Sequence, residues 1–291
     1  RFGKSTDANM LVAYYSKGCD SQYIFDSLKI SQTDHYLKHL NKHHVIHINI
    51  QSFLSNTHNI DKMIQLLTAR ILNEFKQEYS ITFFDETNLS LSLEDIYAST
   101  KNQFIFIIDE WDCIFREYKQ DKEAQKQYLD FLRNLLKDKP YVELAYMTGI
   151  LPIKKYGTHS ALNMFEEISM IDPGLLPEFM GFTEAEVQDL CIQYNVSYDE
   201  MKQWYDGYHL TDEISTFSPR SVVMSLTRKE FGNYWTSTET YEALKFYIDI
   251  NKDGLKDDVI KMLAGENVPV QTSSFQNDMS TFEVKDDVLT L

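Results

Sequence analysis

The stretch that decides the fold is Phe104-Ile105-Phe106-Ile107-Ile108-Asp109-Glu110-Trp111-Asp112, in which five apolar residues run directly into two adjacent acids. A run of this length is too short for a helix buried on every side, and it is typical of a central strand in a parallel sheet. Open α/β sheets bind ligands at the carboxyl ends of their strands. The pattern therefore predicts a Walker B strand, in which Asp109 helps to hold Mg²⁺ and Glu110 polarises the water that attacks a γ-phosphate. The alternative is an ordinary apolar strand followed by an acidic turn.

The first residues of the chain supply a matching motif, since Arg1-Phe2-Gly3-Lys4-Ser5-Thr6 fits the last part of the phosphate-binding pattern G-x-x-x-x-G-K-[ST]. Gly3 lets the backbone approach a phosphate, Lys4 brings a positive charge to the β- and γ-phosphates, and the Ser5 hydroxyl is a Mg²⁺ ligand. A helix is predicted from about Thr6, and its amino end favours an anion. A Gly-Lys-Ser tripeptide also occurs by chance in loops. The order and spacing of the two motifs nevertheless suit one P-loop fold that binds ATP and Mg²⁺.

The composition is that of an acidic protein with room for a large core. The chain has 291 residues, 43% of them hydrophobic, and a net charge of −16. A surface this acidic repels a phosphate backbone, so no direct grip on nucleic acid is expected. The three cysteines are far apart in the sequence and have no zinc-binding spacing, which fits a reducing cytoplasm. No apolar run approaches a membrane span, and no signal peptide is visible.

Five histidines lie close together in the sequence before the first predicted strand and within it. His35, His39 and His43 are four residues apart and share one face of a helix predicted over 34–44. His44 ends this helix, and His47 lies in a strand predicted over 45–50. A metal site is one interpretation. A polar helix surface that runs into a strand is favoured, because no carboxylate or cysteine in this stretch completes a ligand set.

Further elements are predicted on both sides of the acidic strand. Amphipathic helices are expected over 60–79 and 121–138, and strands over 141–147 and 167–171. Thr148 follows the strand expected to lie beside the Walker B strand, and is the candidate sensor of the γ-phosphate. Thr183-Glu184-Ala185-Glu186 has the pattern of a capping box. Trp204 and Tyr205, beside an Asp-Gly turn, are expected to be buried anchors.

Seven blocks of sequence, taken in order, resemble one known family, the AAA-ATPase-like family of predicted bacterial ATPases. They are RFGKS (1–5), FIIDEWD (106–112), MTGI (147–150), GFTEAEV (181–187), WYDGY (204–208), SPRSVV (218–223) and YWTST (234–238). The chain departs from the family at Ser218-Pro219-Arg220-Ser221, where members usually have Asn-Pro-Trp/Tyr-Ser, and at Met164, where a second asparagine is common.

The resemblance implies an α/β fold with three parts. They are a three-layer P-loop NTPase core with a parallel sheet over 1–174, a mostly helical lid over 175–235, and the truncated start of a winged-helix-like segment over 236–291. The first strand of the core would precede Arg1. Family members commonly carry a PD-(D/E)XK nuclease-like domain after the ATPase, so such a domain is expected after Leu291.

The function indicated by the motifs and the resemblance is an ATP-binding and hydrolysing module that drives or regulates a partner or the nuclease-like domain. Glu110 and Thr148 are its predicted catalytic residues, Gly3, Lys4, Ser5 and Thr6 bind the nucleotide, and Ser5 and Asp109 hold the metal. A homo-oligomer is a further partner that this interpretation allows. The alternative is a nucleotide-dependent protein-binding switch that does not hydrolyse ATP. Arg116, Arg133 and Arg220 are candidates for an arginine finger.

Overall fold

The computed structural model describes residues 3–150, 162–170, 172–210, 214–234, 251–271 and 284–290. The chain divides into two compact units, residues 4–165 and residues 1–3 with 166–291. The sequence also predicts a helix near residues 239–249, which lie outside the described residues. The predicted domain boundaries at 174 and 235 and the winged-helix-like segment remain predictions.

A three-stranded parallel sheet is the centre of the first unit. Its strands are β1 (His44–Asn49), β2 (Phe104–Asp109) and β3 (Val142–Met147), in the order β1-β2-β3. Every residue of β2 is buried, as its unbroken apolar sequence predicts. The predicted central strand and its parallel neighbour over 141–147 are therefore confirmed.

Helices surround this sheet, and two of the long ones begin at side-chain caps. They are α1 (Lys4–Tyr15), α2 (Gln22–Phe25), α3 (Tyr36–His39), α4 (Ile50–Thr57), α5 (Ile60–Glu78), α6 (Leu89–Thr100), α7 (Cys113–Glu117) and α8 (Lys122–Leu136). The Asn59 side chain accepts the N–H of Lys62 at the start of α5, and Asp121 accepts the N–H of Ala124 at the start of α8. The amphipathic helices predicted over 60–79 and 121–138 are confirmed as α5 and α8.

The helix predicted over 34–44 is shorter than expected, because α3 ends at His39. Asn41 follows with a left-handed backbone (φ 54°). Its side-chain amide donates to the carbonyl oxygens of Ala13, at 2.9 Å, and Ser16, at 3.1 Å. These long-range hydrogen bonds take the chain out of the helix and lead it into β1, which periodicity within the segment does not reveal.

Helix α1 runs back across the sheet from the carboxyl ends of the strands to their amino ends. Its far end is fixed by a bridge between Ser16 and His43, just before β1. In its first half, Ala8 packs against Ile105 and Ile107 of β2. The helix has 12 residues, which is about 18 Å of rise and close to the length of a six-residue strand. The Lys4 end of α1 therefore lies towards the carboxyl edge of the sheet.

The second unit packs three helices against a small antiparallel sheet. The helices are α9 (Glu184–Tyr194), α10 (Tyr198–Tyr205) and α11 (Pro219–Arg228), and the sheet has the order β4-β6-β5, with β4 (Phe182–Thr183), β5 (Asp206–His209) and β6 (Ser215–Phe217). The chain continues into α12 (Leu255–Leu263) and α13 (Lys285–Thr290). The capping box of Thr183 and Glu186 is confirmed at the start of α9.

Two expectations for this part of the chain are wrong. The strand predicted over 167–171 is absent from its described residues, 167–170. Ser169 and Asp172 bond each other instead. The Ser169 N–H donates to Asp172 O, and the Asp172 N–H donates to Ser169 Oγ. Tyr205 is buried as expected, but Trp204 is 44% exposed. The two aromatics are consecutive on α10, so they lie about 100° apart around the helix and only one faces the core.

Among the described helices, none combines the length and the apolar character needed to cross a bilayer.

Candidate functional site

The carboxylate of Asp109 is held at the carboxyl end of β2 by three donors. Its Oδ1 accepts the hydroxyl of Thr148 and, at 3.0 Å, the backbone N–H of Glu110. Its Oδ2 accepts the side-chain amide of Asn49 at 3.3 Å. Asn49 is the register partner of Asp109 on β1, and the backbone N–H of Thr148 continues the ladder by donating to Ile108 O. The parallel register thus brings the ends of all three strands to one buried carboxylate.

Glu110 turns the chain out of the sheet with a left-handed backbone, φ 54°. This conformation is costly for a residue with a side chain other than glycine, and such residues gather at functional sites. Its carboxylate Oε2 accepts a hydrogen bond from the guanidinium of Arg116 on α7. The base predicted from the sequence is therefore ion-paired in this structure.

The turn after β3 is packed tightly against the residues that follow Glu110. The Trp111 N–H donates to Thr148 O, and the Ile150 N–H donates to Oδ2 of the fully buried Asp112. Gly149 lies so close that an added Cβ would come within 2.5 Å of the Trp111 ring and 2.8 Å of Asp112 Oδ1. A side chain at this position is incompatible with the observed turn, so Gly149 helps to keep Thr148 beside Asp109.

The predicted phosphate-binding residues lie at the start of α1. Gly3 precedes the helix with φ 86°, and the side chains of Lys4, Ser5 and Thr6 are exposed in its first turn. The residue after them, Asp7, has its pKa raised to about 6 by partial burial of its carboxyl, and the positive charge of Lys4 opposes that rise.

Tyr146 of β3 is influenced by charges from both the first turn of α1 and the end of β2. Burial, followed by the negative charges of Asp7 and Asp109, raises the pKa of the Tyr146 hydroxyl. Tyr146 also packs against the cluster of Ala8, Ile105 and Ile107, so the first half of α1 and β2 meet beside this residue. The start of α1 and the end of β2 are brought to the same edge of the sheet, as the two motifs predict.

The oxygen donors at this edge are of the type that Mg²⁺ prefers. A carboxylate offers about four lone-pair positions, and three of those on Asp109 are used by Thr148, Glu110 and Asn49. One position on Oδ2 remains, which suits a single contact with the ion or its water shell. Mg²⁺ is commonly held by one or two protein groups together with substrate phosphates. Asp109 and the exposed hydroxyl of Ser5 fit that arrangement.

The sequence did not reveal the roles of Asn49 and Asp112 in the site, and it indicated Arg116 only as a candidate arginine finger. Asn49 ends a strand and caps α4, where its Oδ1 accepts the N–H of Ser52 at 2.8 Å. Asp112 and Arg116 are linked by an ion pair of 3.4 Å. Two signals were present in the sequence: a polar residue at the end of a neighbouring strand, and an arginine four residues after an acid. Both patterns are common in other contexts.

Within the part of the chain that the structure describes, each of the other two candidate arginines contacts a residue of its own unit. Arg133 pairs with Asp130 at 2.6 Å on α8. The Nε of Arg220 donates to Tyr234 O at 3.3 Å.

The histidines form a separate cluster at the amino end of the sheet. His39 Nδ1 lies 2.9 Å from His43 Nε2, and His43 Nδ1 lies 2.9 Å from Glu143 Oε2 at the start of β3. Among the described residues, no group of three or more His, Cys, Asp or Glu side chains is arranged to hold a metal ion. The tertiary structure adds a carboxylate, that of Glu143, to the polar surface formed by these histidines.

The parallel sheet, the helix that starts at Gly3-Lys4-Ser5 and the acidic end of β2 define the class of protein, an α/β protein with a P-loop-like core. The chain belongs to the AAA-ATPase-like family, described as predicted AAA-ATPases, whose model matches residues 1–158. It is similar to the uncharacterized protein in the vnfD 5' region of Azotobacter chroococcum mcd 1, with 26% identity over 154 residues, which are 51% of this chain and 29% of that protein. The chain thus spans less than a third of that relative's length. No solved structure gives a significant match.

Proposed function

We propose that this protein binds ATP with Mg²⁺ and hydrolyses it, and that the reaction drives or regulates a partner. The observation that carries the proposal is the placement of Asp109, Glu110 and Thr148 at the same edge of the sheet as the first turn of α1. An anion suits the amino end of α1, because its first N–H groups have no partner within the helix. Lys4 adds a full positive charge there.

In the proposed reaction, the Glu110 carboxylate accepts a proton from water while the water oxygen bonds to the γ-phosphorus. The bond from that phosphorus to the β–γ bridging oxygen breaks, and ADP leaves with the electron pair. Bound Mg²⁺ would neutralise charge on the phosphates. Thr148 fixes the orientation of the Asp109 carboxylate, and its hydroxyl oxygen can still accept a second hydrogen bond. Catalysis would consist mainly of positioning and charge stabilisation.

Two variants test this proposal on the full chain. Glu110→Gln should bind ATP and Mg²⁺ normally but lose about 10²- to 10⁴-fold in phosphate release, because an amide does not accept the proton. Lys4→Ala should lose affinity for a fluorescent ATP analogue and keep its melting temperature, because its side chain is exposed. Unchanged affinity in Lys4→Ala would remove the phosphate-binding assignment. Equal turnover with and without Glu110 would remove the catalytic one.

A second candidate is a switch that binds the nucleotide without turnover and holds a protein partner. The observation in its favour is the ion pair between Glu110 and Arg116, which occupies the carboxylate that hydrolysis needs. The switch predicts a nearly inactive wild type, in which Glu110→Gln changes little. The phosphate-release assay above separates the two functions.

The partners of the proposed ATPase rest on resemblance to the family. We include a nuclease-like domain beyond Leu291 and a homo-oligomer as candidates, and we place the protein in the cytoplasm because its three cysteines are unpaired. The helical lid over 175–235 would carry nucleotide-dependent movement to such a partner. Comparing phosphate release by the chain with and without its neighbouring domain tests this coupling.

A further inference from the structure

We propose that Arg116 is a positioning residue that restrains Glu110, so that release of the Arg116–Glu110 pair limits hydrolysis. This inference rests on the proposed ATPase function and adds a control step to it. Three features of the site carry it: the pair itself, the anchoring of Arg116 by Asp112, and the left-handed backbone of Glu110.

The pair is protected from solvent on both sides. The Arg116 side chain is 19% exposed and that of Glu110 is 29% exposed. Exposed ion pairs contribute little because water and salt screen them, but a charge-assisted hydrogen bond in a sheltered site is stronger. The guanidinium occupies Oε2 of Glu110 while the pair is intact, so release of the pair is needed to free that oxygen for the attacking water.

The position of Arg116 is fixed independently of Glu110. The backbone N–H of Arg116 donates to the backbone carbonyl of Asp112, and the Nε of the Arg116 side chain lies 3.4 Å from Asp112 Oδ2. That same oxygen accepts the N–H of Ile150 after β3. Asp112 is fully buried, so it ties the guanidinium to the end of the sheet. Glu110 is the more exposed member of the pair and, among the described residues, lacks such an anchor on its side chain, so release should consist of movement of the Glu110 side chain.

The backbone of Glu110 supports a functional reason for the residue. At φ 54° glycine or asparagine is the residue that local energetics favour. A strained conformation persists where surrounding structure fixes it, and here Glu110 N donates to Asp109 Oδ1 while Glu110 O accepts from Cys113 N. The backbone is thus held at both sides, and only the side chain is left to change partners.

The test compares ATP turnover of Arg116→Gln with that of wild type and of Lys139→Gln, the matched control. Lys139, just before β3, makes a similarly sheltered ion pair with Glu94 at 2.7 Å, and its side chain is 22% exposed. Arg116→Gln should raise kcat about tenfold, which is the effect of removing about 1.4 kcal/mol of restraint. Lys139→Gln should leave kcat unchanged. The gain should disappear in the double variant Glu110→Gln/Arg116→Gln, because it acts through Glu110.

A conservative variant and the split between kcat and KM separate restraint from a purely structural role. Arg116→Lys keeps a charge with fewer donors and should fall between wild type and Arg116→Gln in kcat, with the KM for ATP unchanged in both variants. It carries the test if Arg116→Gln fails to melt cooperatively.

The outcomes distinguish this inference from the proposed function. If wild type hydrolyses ATP through Glu110 but Arg116→Gln and Arg116→Lys are no faster, the restraint is refuted and the ATPase stands. A gain that survives Glu110→Gln also refutes it. If Glu110→Gln equals wild type, the ATPase proposal itself is refuted, and the restraint with it.

Discussion

The two ends of the parallel sheet both gather ionisable side chains, but they do so in different ways. At the carboxyl end, Asp109 accepts three hydrogen bonds and Glu110 is held in a strained backbone conformation. At the amino end, His39, His43 and Glu143 contact one another along a surface. Both clusters contain titratable groups, yet only the first surrounds one buried carboxylate with donors from separate parts of the sheet.

The difference teaches that convergence, not the number of polar residues, marks function in this fold. Parallel strands place their carboxyl ends at one edge, so residues far apart in sequence meet there. Asn49, Asp109 and Thr148 come from three separate strands. Of the histidines, His39 and His43 are separated by only four residues, a spacing that any helix or turn can bring together. The following predictions test this contrast, beginning with the largest effect.

Asp109→Asn should weaken the apparent Mg²⁺ affinity about 10- to 100-fold. The side-chain NH₂ of the new asparagine would also be a donor facing another donor, because Thr148, Glu110 and Asn49 all donate to the Asp109 carboxylate. High Mg²⁺ should restore part of the turnover. A Mg²⁺ titration of phosphate release measures this.

The matched control for this change is Glu143→Gln at the amino end of the sheet, which keeps an acceptor for His43. The Mg²⁺ dependence of this variant should stay within about twofold of wild type, because charge changes at exposed positions away from a site have small effects. If both variants weaken Mg²⁺ to the same degree, the ends are not functionally different.

Gly149→Ala should lower the free energy of unfolding by about 1–3 kcal/mol, the usual cost of overpacking a tight site. The new methyl group would come within 2.5 Å of Trp111 and 2.8 Å of Asp112 Oδ1, and both residues are buried. Gly18→Ala is the control near the amino end, because its Cβ meets only Ser16 Oγ, at 3.7 Å. Urea unfolding of both variants measures the difference. Equal stabilities would mean that the Trp111 turn is loosely packed.

His39→Gln should reduce the loss of stability on acidification between about pH 7 and 5. Burial, then the charges of His43, Lys38 and His35, lowers the pKa of folded His39, while Glu143 opposes this. The unfolded chain therefore binds its proton at higher pH, and folded stability falls as the pH drops below the ordinary histidine value. Melting temperatures across this range, with the exposed His47→Gln as control, measure the effect. Parallel curves for wild type and His39→Gln would contradict it.

Much of the framework could be predicted from the sequence because its signals are local. The apolar run of β2, the amphipathic period of α5 and α8 and the capping box of α9 each depend on residues a few positions apart. Thr148 was placed beside Asp109 by the same reasoning, since neighbouring strands of a parallel sheet end at one edge.

Contacts between distant segments were decided by the tertiary structure alone. The early end of α3 depends on hydrogen bonds from Asn41 to the end of α1 and the residues after it, and the exposure of Trp204 depends on which side of α10 meets the core. The hold of Arg116 on Glu110 depends on how Asp112 is buried against the turn after β3. A sequence fixes which groups are available and their local conformational preferences. Which of them meet is set by strand register and packing, because those arise only when the whole chain is assembled.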